Sequence, residues 1–236
     1  MAAVFLTAEW KKLAMANYPV DDSVLRPLLP ARTELDTWEG DAYVSLVGFQ
    51  FNQVRVRGWR IPFHTHFPEV NLRFYVRYKE AGQWKRGVVF VREIVPLRAV
   101  AYVANTVFHE RYIAVPMRYV EAADEDVLRT AYHWRFRGRW QGMSLKADPI
   151  ARALVAGSKE EFITEHFWGY AAHGKQTVEY QVEHPRWEVY PAREVQIDCE
   201  FGKLYGAAFA GLGSRKPESV FLAEGSAINV YSRSLI

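Results

Sequence analysis

Residues 64–78 read His64-Thr65-His66-Phe67-Pro68-Glu69-Val70-Asn71-Leu72-Arg73-Phe74-Tyr75-Val76-Arg77-Tyr78, and from Phe67 to Tyr78 the side chains alternate strictly in character. Val70, Leu72, Phe74, Val76 and Tyr78 fall on one face of a strand, and Glu69, Asn71, Arg73, Tyr75 and Arg77 on the other. Such alternation marks a strand with two unlike faces. The polar face carries an acid, an amide, a base and a phenol in one row. Facing bulk water, that row means little; lining the inside of a curved sheet, it is a binding surface. Glu69 and Arg73 stand roughly 13 Å apart along a straight strand and do not pair directly. If buried, they need cross-strand partners.

Outward from this segment, residues 42–51 read as a buried strand, with 54–57 continuing it or pairing with it, and 58–62 as a loop. Residues 80–83 form a hairpin turn and 87–91 the returning strand. The clearest helix follows. Pro96 suits its first position, and Leu97, Val100, Ala101, Ala104, Val107 and Phe108 form an apolar stripe expected to lie over Val70, Leu72, Phe74 and Val76. Upstream, residues 13–20 suit helix or strand, and Asp21 and Asp22 can cap a short helix before Pro30. Three strands are expected at 117–122, 127–136 and 141–146. Ser158-Lys159-Glu160-Glu161 is a capping box ahead of a short helix through His166. From Tyr170 onward, short aromatic and β-branched runs alternate with turn signals. Without internal repeat or linker, residues 1–236 are expected to form a single domain.

Composition narrows the class. A chain of 236 residues with 15% aromatics suits one large β domain. It can bury roughly 70–75% of its unfolded surface and needs no metal or disulfide to hold a core. Its net charge of +3, from 30 basic and 27 acidic groups, is too mild to imply nucleic acid or anionic lipid as the main partner. Cys199 is the only cysteine, so no internal disulfide forms, which suits a reducing compartment. The first ten residues turn polar too soon for a signal peptide, and no run approaches the length of a membrane span. The expectation is a cytoplasmic protein without membrane or nucleic-acid partners, homo-oligomerisation being open.

The order of motifs carries a resemblance. Tyr18-Pro19-Val20-Asp21 with 25–30, Leu35-Asp36-Thr37 with Gly40, Ala42-Tyr43-Val44, the segment 67–76, Gly87-Val88-Val89-Phe90, Pro116 after the helix and His184-Pro185-Arg186-Trp187 together resemble the YqjF-like family of unknown function (domain of unknown function 2071). The most specific part is Glu69-x-Asn71-x-Arg73-x-Tyr75-Val76. That family resembles acetoacetate decarboxylase in fold. The resemblance implies a mainly β (α+β) protein: a large antiparallel sheet curled into a cone or barrel, a few helices packed outside, and a cavity within. It also implies a chemical difference. The decarboxylases carry Gly-Phe-Pro-Lys-Lys, whose first lysine forms a Schiff base with the keto acid. The counterpart here is Ala114-Val115-Pro116-Met117-Arg118. Methionine cannot form an imine, and arginine stays protonated. Fold and chemistry therefore separate.

The leading expectation is a protein that binds a small carboxylate or keto/enol ligand in the cone interior, either as a binding protein or as an enzyme without Schiff-base chemistry. Glu69 is the candidate acid or base. Arg73 is the candidate anion anchor, with Asn71, Tyr75, Arg118, His109 and Tyr112 as further ligand-binding residues. For His109 the bland alternative is an interaction with the helix dipole. The alternative for the whole row is a non-catalytic structural or interaction module, in which these groups only brace the barrel. A second alternative is a metal-dependent, cupin-like enzyme built on His64, His66 and Glu69. Its spacing is poor and it lacks a firm third ligand beyond His109, so no metal or cofactor is expected. Arg135, Arg137 and Arg139 read as a charged hairpin tip, His184 and Trp187 as a turn with an aromatic anchor, and Cys199 as a small apolar filler.

Overall fold

The computed structural model describes residues 2–236. In chain order they form β1 (Val4–Val20), α1 (Asp22–Leu25), β2 (Glu34–Leu35), β3 (Ala42–Val56), β4 (Phe67–Glu80), β5 (Gln83–Val95), α2 (Arg98–Val103), β6 (Tyr112–Ala114), β7 (Met117–Ala123), β8 (Leu128–Phe136), β9 (Arg139–Ala147), β10 (Arg152–Ala153), α3 (Lys159–Thr164), β11 (Trp168–His173), β12 (Gln176–Glu183), β13 (Glu188–Asp198), α4 (Phe201–Tyr205), β14 (Ser219–Tyr231) and β15 (Ser234–Leu235). Seven of the strands run side by side as β12-β11-β5-β4-β3-β1-β14, and β14 returns to β12 through Val182↔Val230 and Glu183↔Asn229, which closes a ring. The pairing is mostly antiparallel; β5 pairs in parallel with β11 and with β6. From β14 the sheet runs on through β13, β9, β8 and β7.

The ring wall separates two apolar cores, and this explains why β3 and β4 are buried along most of their length. The outer core joins Val70, Leu72, Phe74 and Val76 of β4 to Tyr132, Trp134, Met143 and Leu145 of the β8–β9 hairpin and to Phe201, Leu204 and Tyr205 of α4. Burying each such side chain contributes roughly 1.5–3 kcal/mol. The inner core contains Leu13, Met15, Val47, Phe49, Phe51, Phe67, Val88 and Trp187. The alternation of residues 67–78 is thus a wall with a dry outside and a mixed inside.

Two expectations need correction. The helix over the apolar row of β4 is α4, with the 3₁₀ stretch Ala207–Ser214 behind it, and not the helix at 97–108. That helix lies on the inner side, where Ala101, Leu97 and Val100 join the inner core. It is α-helical only from Arg98 to Val103 and continues as a π turn, Ala104–Phe108, ending at His109 in the left-handed region (φ 58°). Pro96 stands outside the helix, whose N-cap is Leu97.

Elsewhere local chemistry acts as expected. The Asp21 carboxylate accepts from the Ser23 N–H at 2.8 Å and starts α1. Ser158 Oγ accepts from the Glu161 N–H at 3.2 Å and starts α3, while the Glu161 carboxylate accepts from Gly157 N–H. Ala81 (φ 46°) and Gly82 (φ 85°) make the tight β4–β5 hairpin, because both positions need a left-handed backbone.

A buried acid cluster around one arginine

The ring encloses a cavity of about 280 Å³. Its walls are largely aromatic and aliphatic, with Phe5, Trp10, Phe49, Phe51, Phe67 and Phe90 among them. The wall also carries a compact polar group: Glu69, Asn71 and Arg73 from β4, Glu93 from β5, Glu110 and Tyr112 at the start of β6, and Tyr180 from β12. One row crosses three strands in register, Tyr112 beside Glu93 and Glu93 beside Asn71, with Asn71 paired to Val47 on the far side. Directly opposed side chains in a sheet stand about 4.5–5.5 Å apart at Cβ. Glu69 and Arg73 flank Asn71 on the same face of β4.

Glu93 reaches this face through a β-bulge. Val88 and Phe90 point inward, so uninterrupted alternation would turn Glu93 outward. The pairing passes from Leu72↔Arg92 to Arg73↔Phe90, leaving Val91 as the extra residue. Val91 and Arg92 then both lie on the outer side, where Val91 joins the outer core and the Arg92 guanidinium donates to the Leu204 carbonyl. Glu93 swings into the cavity.

The hydrogen bonds are few. Asn71 Nδ2 donates to Glu69 Oε1 at 3.0 Å, and the Tyr112 hydroxyl donates to Glu69 Oε2 at 2.8 Å. The Tyr180 hydroxyl donates to Glu110 Oε1 at 2.7 Å. Burial pushes Glu69 up to about 7, against the bonds from Asn71 and Tyr112 and the charge of Arg73. Burial pushes Glu110 up to about 8, with the bond from Tyr180 acting the other way and the charge of Glu69 adding to the rise. Glu93 is raised well above the usual range by burial and then by the charges of Glu110 and Glu69. Acids with shifted protonation in a cleft are candidate chemistry.

Arg73 is the one cationic side chain lining this cavity among the described residues. It is 8% exposed and has no acid within ion-pair distance. One Nη donates to the Ile163 carbonyl at 3.3 Å, and Nε has no partner. Nearby, His166 donates from Nε2 to Asp36 Oδ2 at 3.1 Å and leaves Nδ1 unpaired. Burial holds both His166 and His184 down at about 4, so each ring is neutral at neutral pH. Trp10 Nε1, Asn71 Oδ1, Arg73 Nε, Glu93 Oε2 and His166 Nδ1 are therefore five buried, unpartnered polar atoms on residues of one cavity. Buried polar atoms normally find partners, and a ligand in the cavity could supply them here.

The cavity brings together four of the seven residues singled out in the sequence: Glu69, Asn71, Arg73 and Tyr112. Tyr75, Arg118 and His109 lie apart from it. Tyr75 belongs to a satisfied polar chain across four strands. It meets Ser45 Oγ at 2.6 Å, Ser45 donates to Asn17 Oδ1 at 2.6 Å, and Asn17 donates to Ser219 Oγ at 2.9 Å. Arg118 is exposed on β7 with its guanidinium over the Trp140 ring, and Met117 packs beneath the outer core. His109 stacks on His173 at 3.8 Å beyond the π turn. His64 bonds to the Pro62 carbonyl and His66 to Asn52, and no cluster of three or more metal-ligating side chains forms among the described residues. Also among the described residues, no lysine lines the cavity. Glu93, Glu110, Tyr180 and His166 escaped the sequence reading. The bulge, the π turn before Glu110 and the closure of the ring bring them in, and none of these follows from the alternation of residues 67–78.

Comparison with known proteins agrees with this architecture. The profile of DUF2071, described as an uncharacterized conserved protein family, matches residues 7–227. The uncharacterized protein YqjF of Bacillus subtilis (strain 168) is 30% identical over 190 residues, covering 75% of this chain and 72% of YqjF. Acetoacetate decarboxylase from Legionella pneumophila superposes with a TM-score of 0.66 at 12% identity, covering 99% of this chain and 88% of that one. An acetoacetate decarboxylase-like enzyme from Sphingomonas wittichii RW1 gives 0.68 at 12% identity, with 98% and 93% covered. The enduracididine biosynthesis enzyme MppR, complexed with pyruvate, gives 0.67 at 12% identity, with 100% and 91% covered. At such identities the likeness is one of fold.

Proposed function

Because the chain belongs to the DUF2071 family, whose members need not share the chemistry of proteins with the same fold, we propose from the site itself that it binds a small carboxylate, or a keto or enol acid, inside the ring, with Arg73 as the anchor. The observation that carries this reading is Arg73: a buried guanidinium with no acid paired to it and an idle Nε, facing an apolar cavity. A buried charge without a partner is costly, and a planar anion would satisfy it through two parallel hydrogen bonds. The two neighbouring imidazoles are neutral and do not compete for the anion. That MppR, of similar fold, is known in complex with pyruvate supports the same ligand class. The absence of a lysine from the walls among the described residues favours chemistry other than imine formation.

Thermal unfolding with a panel of carboxylates and 2-oxo acids tests the proposal. A ligand at a hundred times its dissociation constant stabilises by about 2.7 kcal/mol. We expect at least one acid to raise the melting temperature. Arg73→Lys should lose most of that rise while staying folded, because lysine keeps the charge but not the fork. If no acid raises it, or if Arg73→Lys retains the full effect, the anchor is misassigned.

A further inference from the structure

The Tyr112 hydroxyl is held at 2.8 Å from one buried acid, Glu69, and its strand places it beside a second, Glu93, in direct register. Glu93 is 1% exposed, faces the cavity and keeps Oε2 unpartnered. Bracing a sheet needs no such arrangement. The Tyr75–Ser45–Asn17–Ser219 chain does that work with every group bonded. A phenol bonded to one carboxyl group and set beside a second that is open to an apolar cavity forms instead a device for moving protons.

We propose that Glu69, Tyr112 and Glu93 make the cavity a keto–enol tautomerase site for 2-oxo acids with an apolar or aromatic body. This rests on the reading of Arg73 as the carboxylate anchor. The Glu69 carboxylate removes a proton from C3 of the bound acid. The C3–H electron pair becomes the C2=C3 bond, and the carbonyl π pair takes a proton from the Glu93 carboxyl to give the enol. One proton is taken and one given. Glu69 then passes its proton to the Tyr112 oxygen as the Tyr112 proton moves to Glu93, which restores both acids. No oxidant, metal or second substrate is consumed.

Burial raises both acids, Glu69 to about 7 and Glu93 well above the usual range, which suits groups that take and give protons near neutral pH. The walls specify the substrate's body. Phe5, Trp10, Phe49, Phe51 and Phe90 offer aromatic surface and no cation, so a phenyl or branched alkyl group is accommodated and a second anionic group is not.

The test is hydrogen exchange at C3 of phenylpyruvate in deuterium oxide, followed by proton NMR and mass spectrometry against a protein-free blank. In parallel, the melting temperature is measured with phenylpyruvate present. The wild-type protein should exchange at least tenfold faster than the blank, and the fast phase should stop at one deuterium, since a fixed base reaches one face of C3. Glu69→Gln should fall to the blank rate, and Tyr112→Phe should slow exchange at least tenfold. Both should keep the phenylpyruvate-induced rise in melting temperature. Glu69→Asp serves as a second variant should Glu69→Gln fold poorly, and it too should be slowed at least tenfold. Wild-type exchange at the blank rate despite an Arg73-dependent rise in melting temperature would overturn the tautomerase and leave the carboxylate reading standing. Neither exchange nor a rise with any 2-oxo acid would overturn both. Fast exchange surviving in Glu69→Gln and Tyr112→Phe would overturn the residue assignment.

Discussion

The anchoring role proposed for Arg73 conflicts with stability. Its guanidinium gives up hydration and recovers one hydrogen bond from the protein, to Ile163. Removing a buried, poorly compensated charge while keeping the stem often stabilises a fold by about 1–4 kcal/mol. Arg73→Met should therefore raise the ligand-free stability by about 1–3 kcal/mol at pH 6, where Glu69 already holds its proton for most of the time. Urea unfolding of the two proteins measures this. A loss of stability instead would identify Arg73 as a brace and count against its anchoring role. Tyr75, two residues along the same face, is the contrast: its hydroxyl is bonded, and nothing about it awaits a ligand.

At the scale of elements, the β11–β12 hairpin aims one of the cavity's phenols. Gly169 pairs directly with Tyr180, and a Cβ at Gly169 would lie 2.1 Å from Tyr180 Cζ. The ring thus lies flat over the bare glycine, and its hydroxyl reaches Glu110 from there. Gly169→Ala should push the ring away, breaking the bond to Glu110 and costing about 1–3 kcal/mol, or roughly 2–12 °C in melting temperature for a chain of this length. A melting temperature unchanged within a degree would show that the hairpin yields and that the glycine is dispensable. The bulge at Val91 acts in the same manner on β5, setting the direction of Glu93 without touching it.

Over the whole molecule, the buried ionisable groups set opposing limits in pH. Glu69 and Glu110 titrate near 7 and 8 in the folded chain against about 4.5 unfolded, so the native state binds more protons between those values. Stability from this source is full below about pH 4.5 and is lost as pH rises from there through 7 to 8. His166 and His184 titrate near 4 folded against about 6.5 unfolded, so the native state binds fewer protons there and stability is lost as pH falls from 6.5 through 4. Stability should peak between about pH 5 and 6.5 and decline toward pH 8.5. Glu110→Gln, which stays neutral, should flatten the alkaline decline. Melting temperatures across pH 4.5–8.5 check this, and an alkaline decline equally steep in Glu110→Gln would contradict it.

The amino-acid sequence by itself determined the two-faced strand. A two-residue period in residues 67–78 fits a strand with one dry face, and the curling of the sheet around it came from the resemblance of the motifs to a known family. Four of the seven residues chosen for the site, Glu69, Asn71, Arg73 and Tyr112, meet at the cavity, three of them because period 2 places them on a single face. Whether that face looked into a cavity or a filled core was decided by closure of the ring through β12 and β14, a pairing between residues nearly 50 positions apart. The same closure left Arg118 and His109 elsewhere. Glu93, Glu110 and Tyr180 joined the site through a one-residue bulge, a π turn and a glycine beneath an aromatic ring. Each of these reverses or redirects a side chain locally, and its effect depends on what lies across the ring. Periodicity states which residues share a face; only the tertiary fold states what that face encloses.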